Sequence, residues 1–193
     1  GMQISSTRGG GFAGMGGGGT TGIIKSLSAG LNYSDEWGKN IKVTGSYFFS
    51  DSRPRQEQDI FRQTFYANDS TASMNRQTFS NNLNQNHRFN LRFEYQIDSM
   101  NSILYTPTLT LQHSENFSSD SSYTNSKTPL SEFLAITGKS QNSNERNGTN
   151  LGNNILFRHK FSKTGRTVTF GWNNTSNNSE SDGLTISSNS FFR

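Results

Sequence analysis

Residues 86–98 read NHRFNLRFEYQID. From His87 onward every second residue is histidine, aromatic or aliphatic (His87, Phe89, Leu91, Phe93, Tyr95, Ile97), and between them stand Arg88, Asn90, Arg92, Glu94 and Gln96. Successive side chains of an extended chain point to opposite faces, so this period of two predicts a strand with one apolar and one polar face. Five further runs follow the same rule. Residues 23–33 put Ile23, Lys25, Leu27, Ala29, Leu31 and Tyr33 on one face, and residues 41–49 do so with Ile41, Val43, Gly45, Tyr47 and Phe49. Ile103, Tyr105, Pro107, Leu109 and Leu111 form a fourth stripe, Leu151, Ile155, Phe157 and Phe161 a fifth, and Val168, Phe170 and Trp172 a sixth.

The six runs pair into three hairpins, over about 23–50, 86–113 and 151–174, with the short connections SDEWGKN, DSMN and SKTG inside them. Polar links bearing Gly or Asp are what tight turns require. Residues 50–85, 113–150 and 174 onward are rich in Ser, Asn, Asp and Gln, and the expectation is that they form long polar loops. Within them, Arg-Gln-Thr-Phe at 62–65 and again at 76–79 marks two strands of a hairpin standing above the rest. Residues 1–22, with the tract SSTRGGGFAGMGGGGTTG, read as a flexible Gly-rich segment ahead of one β-unit over 23–193.

Short turns at one end of a sheet and long segments at the other fit an outer-membrane barrel better than a soluble sandwich. Each run is also close to the 9–11 residues that a tilted strand needs to cross the hydrocarbon core. Bulk composition points the same way. Only 29% of the 193 residues are apolar, too few for an ordinary two-sided core, yet 12% are aromatic, too many for a disordered chain. There is no cysteine, which excludes disulfides and thiolate chemistry. The 18 Lys and Arg are scattered among 14 acidic residues, so the net charge of +4 forms no basic stripe and no nucleic-acid partner is expected.

The expected architecture is therefore all-β, an antiparallel up-and-down meander forming part of a transmembrane β-barrel, complete or not. The apolar stripe would face outer-membrane lipid, and Arg88, Asn90, Arg92, Glu94, Arg158 and Lys160 would face a wet lumen, where they satisfy one another across strands or contact a ligand. Tyr33, Trp37, Tyr95 and Tyr105 fall near the short-turn end, where an aromatic girdle belongs. The alternative is a soluble or surface-displayed β-sheet interaction protein without transport activity, its stripe covered by protein.

NYSDEWGKNIKVTGSYFFS and NHRFNLRFEYQIDSMNSILYTPTL resemble the outer-membrane β-barrel segment of TonB-dependent-receptor-like proteins, in the subgroup with a carboxypeptidase-regulatory-like N-terminal domain. The resemblance runs from the Gly-rich tract through the sixth run. It implies the outer membrane of a Gram-negative cell, a plug domain, an energy-coupling protein, and uptake of a ligand too large for porins. Family members carry about 22 strands; six are readable here, so the resemblance covers a piece of such a barrel. Isolated from the remaining strands, such a sheet is expected to self-associate through its edges.

No catalytic, cofactor or metal site is expected. His87, His113 and His159 fall in the apolar register, two near the long-segment end and one near a short turn, Glu94 has no carboxylate partner in register, and no serine lies in a Gly-x-Ser-x-Gly turn. Three residues run against the pattern. Lys25 and Asn153 fall on the apolar face, and Pro107, which cannot donate to a ladder, predicts a bulge or an unpaired position.

Overall fold

The computed structural model describes residues 3–7, 20–66 and 69–192. They form β1 (Gln3–Thr7), β2 (Thr20–Trp37), β3 (Ile41–Tyr66), β4 (Ser70–Gln96), β5 (Asn101–Tyr105), β6 (Thr108–Lys127), β7 (Glu132–Lys160) and β8 (Thr167–Phe191). Every pairing is antiparallel. β5 and β6 are two halves of one strand, since both lie between β4 and β7 and share one register, with Phe93 opposite Tyr105 and Asn90 opposite Thr108. The ring of pairings among β4, β5, β7 and β6 reflects that division. The chain is thus an all-β antiparallel meander. Among the described residues β8 pairs with β7 alone and nothing joins it to β1 or β2, so the sheet is open.

The break between β5 and β6 falls at Pro107, where the ladder lacks a donor and the Pro107 carbonyl still accepts from the Leu91 N–H at 3.1 Å. Gly38 and Gly165 take positive φ, 73° and 83°, in two of the three expected turns, a region a side chain disfavours. In the third turn the Asp98 carboxylate accepts from the Asn101 side-chain amide at 2.8 Å and from the backbone N–H groups of Met100 and Asn101, both at 2.7 Å, and these bonds, the Asn101 side chain's above all, hold its carboxyl below the ordinary range.

The polar segments expected as long loops are strands instead. β3 and β4 continue past the apolar run to Tyr66 and from Ser70, in one register interrupted only at Arg53 and Pro54, and β6, β7 and β8 continue as well, with a bulge that shifts the β6–β7 register between Thr124 and Asn125. At that end three residues separate β3 from β4 and four separate β6 from β7. The Arg-Gln-Thr-Phe repeats lie in β3 and β4, as the hairpin reading had it. Alternation of apolar and polar residues reports a half-buried strand; here both faces are polar, so extended backbone leaves no such signal. The two ends still differ, in strand rather than loop length. Beyond Phe49, β3 runs on through residues 51–66, roughly 50 Å at 3.3 Å per residue.

The Gly-rich segment also needs correction. Gln3–Thr7 is a strand, pairing residues 24–28 of β2, and residues 20–22 begin β2 itself. Residues 8–19 lie outside the described residues.

The sheet is a single layer with almost no interior. Among the described residues Val43 is the one buried hydrophobic residue, at 4% exposure, and Asp51 the one buried polar residue. A compact chain of 21.5 kDa exposes about 9,200 Å², whereas this one exposes 14294 Å². Some 5,000 Å² that a globular protein would hide is open, much of it apolar: Leu31, Tyr33, Trp37, Phe89, Leu91, Val168, Phe170 and Trp172 are all exposed.

Candidate ligand-contact face and the charged depression at its turn end

Directly paired residues of neighbouring strands project from the same face, so the registers sort the whole sheet. One row across it reads Trp37, Ile41, Tyr95, Ile103, Phe157 and Phe170. A row further from the turns reads Leu31, Tyr47, Phe89, Leu109 and Leu151, ending on Ser176. On β3 this apolar band covers residues 41–49, roughly 26 Å of strand.

The far border of the band is oblique. The run Tyr33, Leu31, Ala29, Leu27 on β2 stops in the row of Asp51, before Lys25 and Ile23, and the run Val168, Phe170, Trp172 on β8 stops in the row of Val43: eight residues over five strand steps. A plane crossing strands 4.8 Å apart and tilted by 35–45° shifts about 1.0–1.5 residues per strand. The observed climb, near 1.6, has the size that tilted strands in a flat apolar slab require.

Past this border the same face turns ionisable. The Asp51 carboxylate accepts from Arg53 Nε at 3.0 Å, Arg53 Nη2 at 3.1 Å and Gln85 Nε2 at 2.8 Å, and the Arg53 and Gln85 bonds hold its carboxyl below the usual range. His113 donates from Nδ1 to Asn147 Oδ1 at 2.7 Å and from Nε2 to Glu115 Oε1 at 3.1 Å; with both nitrogens bonded to acceptors the imidazolium is favoured and its pKa rises. Glu115, Glu145 and Asp182 lie in one row, an arrangement of like charges that costs stability unless offset. No three His, Asp or Glu side chains among the described residues converge closely enough to hold a metal. The sequence reading missed this belt because it stopped where the apolar residues stopped; extending the alternation past Phe49 reaches Asp51 and Arg53.

Within the band, Tyr47 Oη is 2.8 Å from His87 Nδ1 and the two rings stack. His159 bonds Asn101 at 2.7 Å beside Phe161. His87 and His113 are diagonal neighbours across β4 and β6, and His159 lies at the turn end. Tyr33, Trp37, Tyr95 and Tyr105 share this face in the rows nearest the turns. Trp37 Nε1 donates to Tyr33 Oη at 3.2 Å, which donates to Asp35 at 3.0 Å. Asn153, the anomaly in the apolar register, accepts from Tyr105 Oη at 2.8 Å. Lys25 lies opposite Arg53, at the ionisable border.

The other face is mostly polar, with Ile24, Phe48, Ile60, Leu104 and Leu156 among its exceptions, and Arg88, Asn90, Arg92, Glu94, Arg158 and Lys160 all share it. They do not satisfy one another across strands as expected. Arg92 pairs with Glu94 along its own strand, Asn90 donates to Ser46 at 3.2 Å, and Arg88, Arg158 and Lys160 have no side-chain partner among the described residues. Further out, burial pushes the Asp120 carboxyl up, but bonds from Thr78 at 2.6 Å and Arg76 at 2.8 Å outweigh it and leave it below its ordinary value.

Near the turns this face holds a depression of about 360 Å³ lined by Glu36, Lys39, Lys42, Arg92, Glu94, Gln96, Ser102, Leu104, Leu156 and Arg158. Glu36 pairs with Lys42 at 3.6 Å and Glu94 with Arg92, which leaves Lys39 and Arg158 as uncompensated cations. Leu104 and Leu156, directly paired, are half-buried apolar residues with Glu94, Ser102 and Arg158 beside them. Comparison with known proteins finds no family model that matches the chain and no curated protein significantly similar to it.

Proposed function

We propose that the chain forms part of the wall of an outer-membrane β-barrel, similar to that of TonB-dependent receptors, and serves ligand uptake or binding at the cell surface. The observation that carries this reading is the obliquely bordered apolar band on one face of a single-layer sheet, with no second layer against it among the described residues. The polar face then lines water, and the hairpins past the ionisable belt project from the membrane on one side. Lipid, a plug and an energy-coupling protein are the partners this reading implies, and no chemistry is assigned to the chain.

The test is circular dichroism and heat-modifiable gel mobility with and without detergent micelles. β-Structure and a compact, heat-sensitive band that need detergent support the reading. An ordered, compact chain in plain buffer would replace it with a soluble or surface-displayed interaction sheet whose apolar face is covered by protein.

A further inference from the structure

We propose that the depression at the turn end of the polar face binds a small amphiphilic carboxylate. This names a ligand class for the uptake reading and rests on it only in requiring water on this face.

Three features of the depression argue for an anion with an apolar part. The first is charge. Four cations and two carboxylates line it, and once Glu36 has paired with Lys42 and Glu94 with Arg92, the Arg158 guanidinium and the Lys39 ammonium remain. A guanidinium is a planar fork of donors matched to a carboxylate. Arg158 is flanked across both ladders by hydroxyl residues, Ser102 and Thr169, and neither opposes it with a negative charge.

The second feature is the leucine pair. Leu104 and Leu156 break the alternation of their strands, placing two aliphatic side chains where Thr, Asn and Arg otherwise stand. On a face wetted by water they give up burial that a polar residue would not need. An apolar ligand segment laid on them recovers it. The third is shape. Next in that row, beside the residues that line the depression, is Gly171, whose lack of a side chain leaves the space next to Leu156 open. Head and tail thus have separate places, the carboxylate against Arg158 with Lys39 in reach, and two to six carbons over Leu104, Leu156 and Gly171.

The experiment uses hexanoate, acetate and hexanol as probes, read by saturation-transfer NMR on the chain in phosphatidylcholine nanodiscs against empty nanodiscs. Hexanoate should bind, acetate and hexanol more weakly. Arg158→Gln should weaken hexanoate by about fivefold, the size of one partly solvated charged contact, and Leu104→Ser should reduce hexanoate while leaving acetate unchanged. Arg62→Gln, on the same face near the far tip of β3, should change nothing. Equal binding of hexanoate and hexanol, or an Arg158→Gln variant indistinguishable from the parent, overturns the proposal. Should the chain prove ordered in plain buffer, the same titration runs there, so failure of the membrane reading and failure of this site give different results.

Discussion

Replacing Leu91 by arginine puts a charge in the middle of the apolar band: on β4 it follows His87 and Phe89 and precedes Phe93 and Tyr95. Leu91 is 40% exposed in the sheet itself. If water covered that face, the change would cost about 1 kcal/mol, the partial burial of one leucine less what the arginine stem recovers. With lipid over it the cost is about 2–4 kcal/mol at mid-depth, falling to 0–1 kcal/mol near the interface. Position therefore discriminates more sharply than magnitude. Leu91→Arg should be the most damaging, Leu111→Arg, at the border row, should cost under about 1 kcal/mol, and Ser119→Arg, on the same face beyond the ionisable belt, should be near neutral. The assay is urea unfolding in phosphatidylcholine vesicles followed by tryptophan emission. A flat profile, with the three substitutions costing the same, would refute the claim that lipid covers this face.

Three further outcomes are expected. Gly38→Ala forces a side chain to φ 73° in open space, so it should destabilise by about 1 kcal/mol through backbone strain alone, measurable as a lower urea midpoint with an unchanged slope. Asp120 has a depressed folded pKa, so its stabilising contribution is present above the unfolded value near 3.8 and lost as pH falls through the folded value; Asp120→Asn should be less stable than the parent at neutral pH, with the gap closing in acid. For His113 the sign is opposite. Its folded pKa is raised, so its contribution is complete below about 6.5 and fades as pH climbs through the folded value, and the parent's advantage over His113→Gln in unfolding titrations should shrink along that window.

The alternation from His87 to Ile97 located β4, its apolar face and its pairing with residues 41–49, because a half-covered strand writes its burial into the sequence with period two. The same logic placed Pro107 at a break and put all six polar-face candidates on one side. It failed beyond Phe49 and beyond Trp172. There both faces meet water, Ser, Thr and Asn serve either side equally, and nothing in composition separates a 25-residue strand such as β8 from a loop. Which charges pair was legible only in part: Lys42 reaches Glu36, directly opposite it across the first turn, whereas Arg92 reaches Glu94 along its own strand, a choice that follows side-chain reach rather than register. The depression is a sum of small departures, Leu104, Leu156 and Gly171, each unremarkable alone and meaningful only once three strands lie side by side.

The most direct test of the central claim uses the chain's two tryptophans, Trp37 and Trp172, both on the apolar face. Their fluorescence in vesicles would be measured against brominated acyl chains and against iodide in the buffer. Strong quenching by the brominated lipid with little effect of iodide is the predicted result. Quenching by iodide with none from the brominated chains would mean that water or protein, and not lipid, lies against this face.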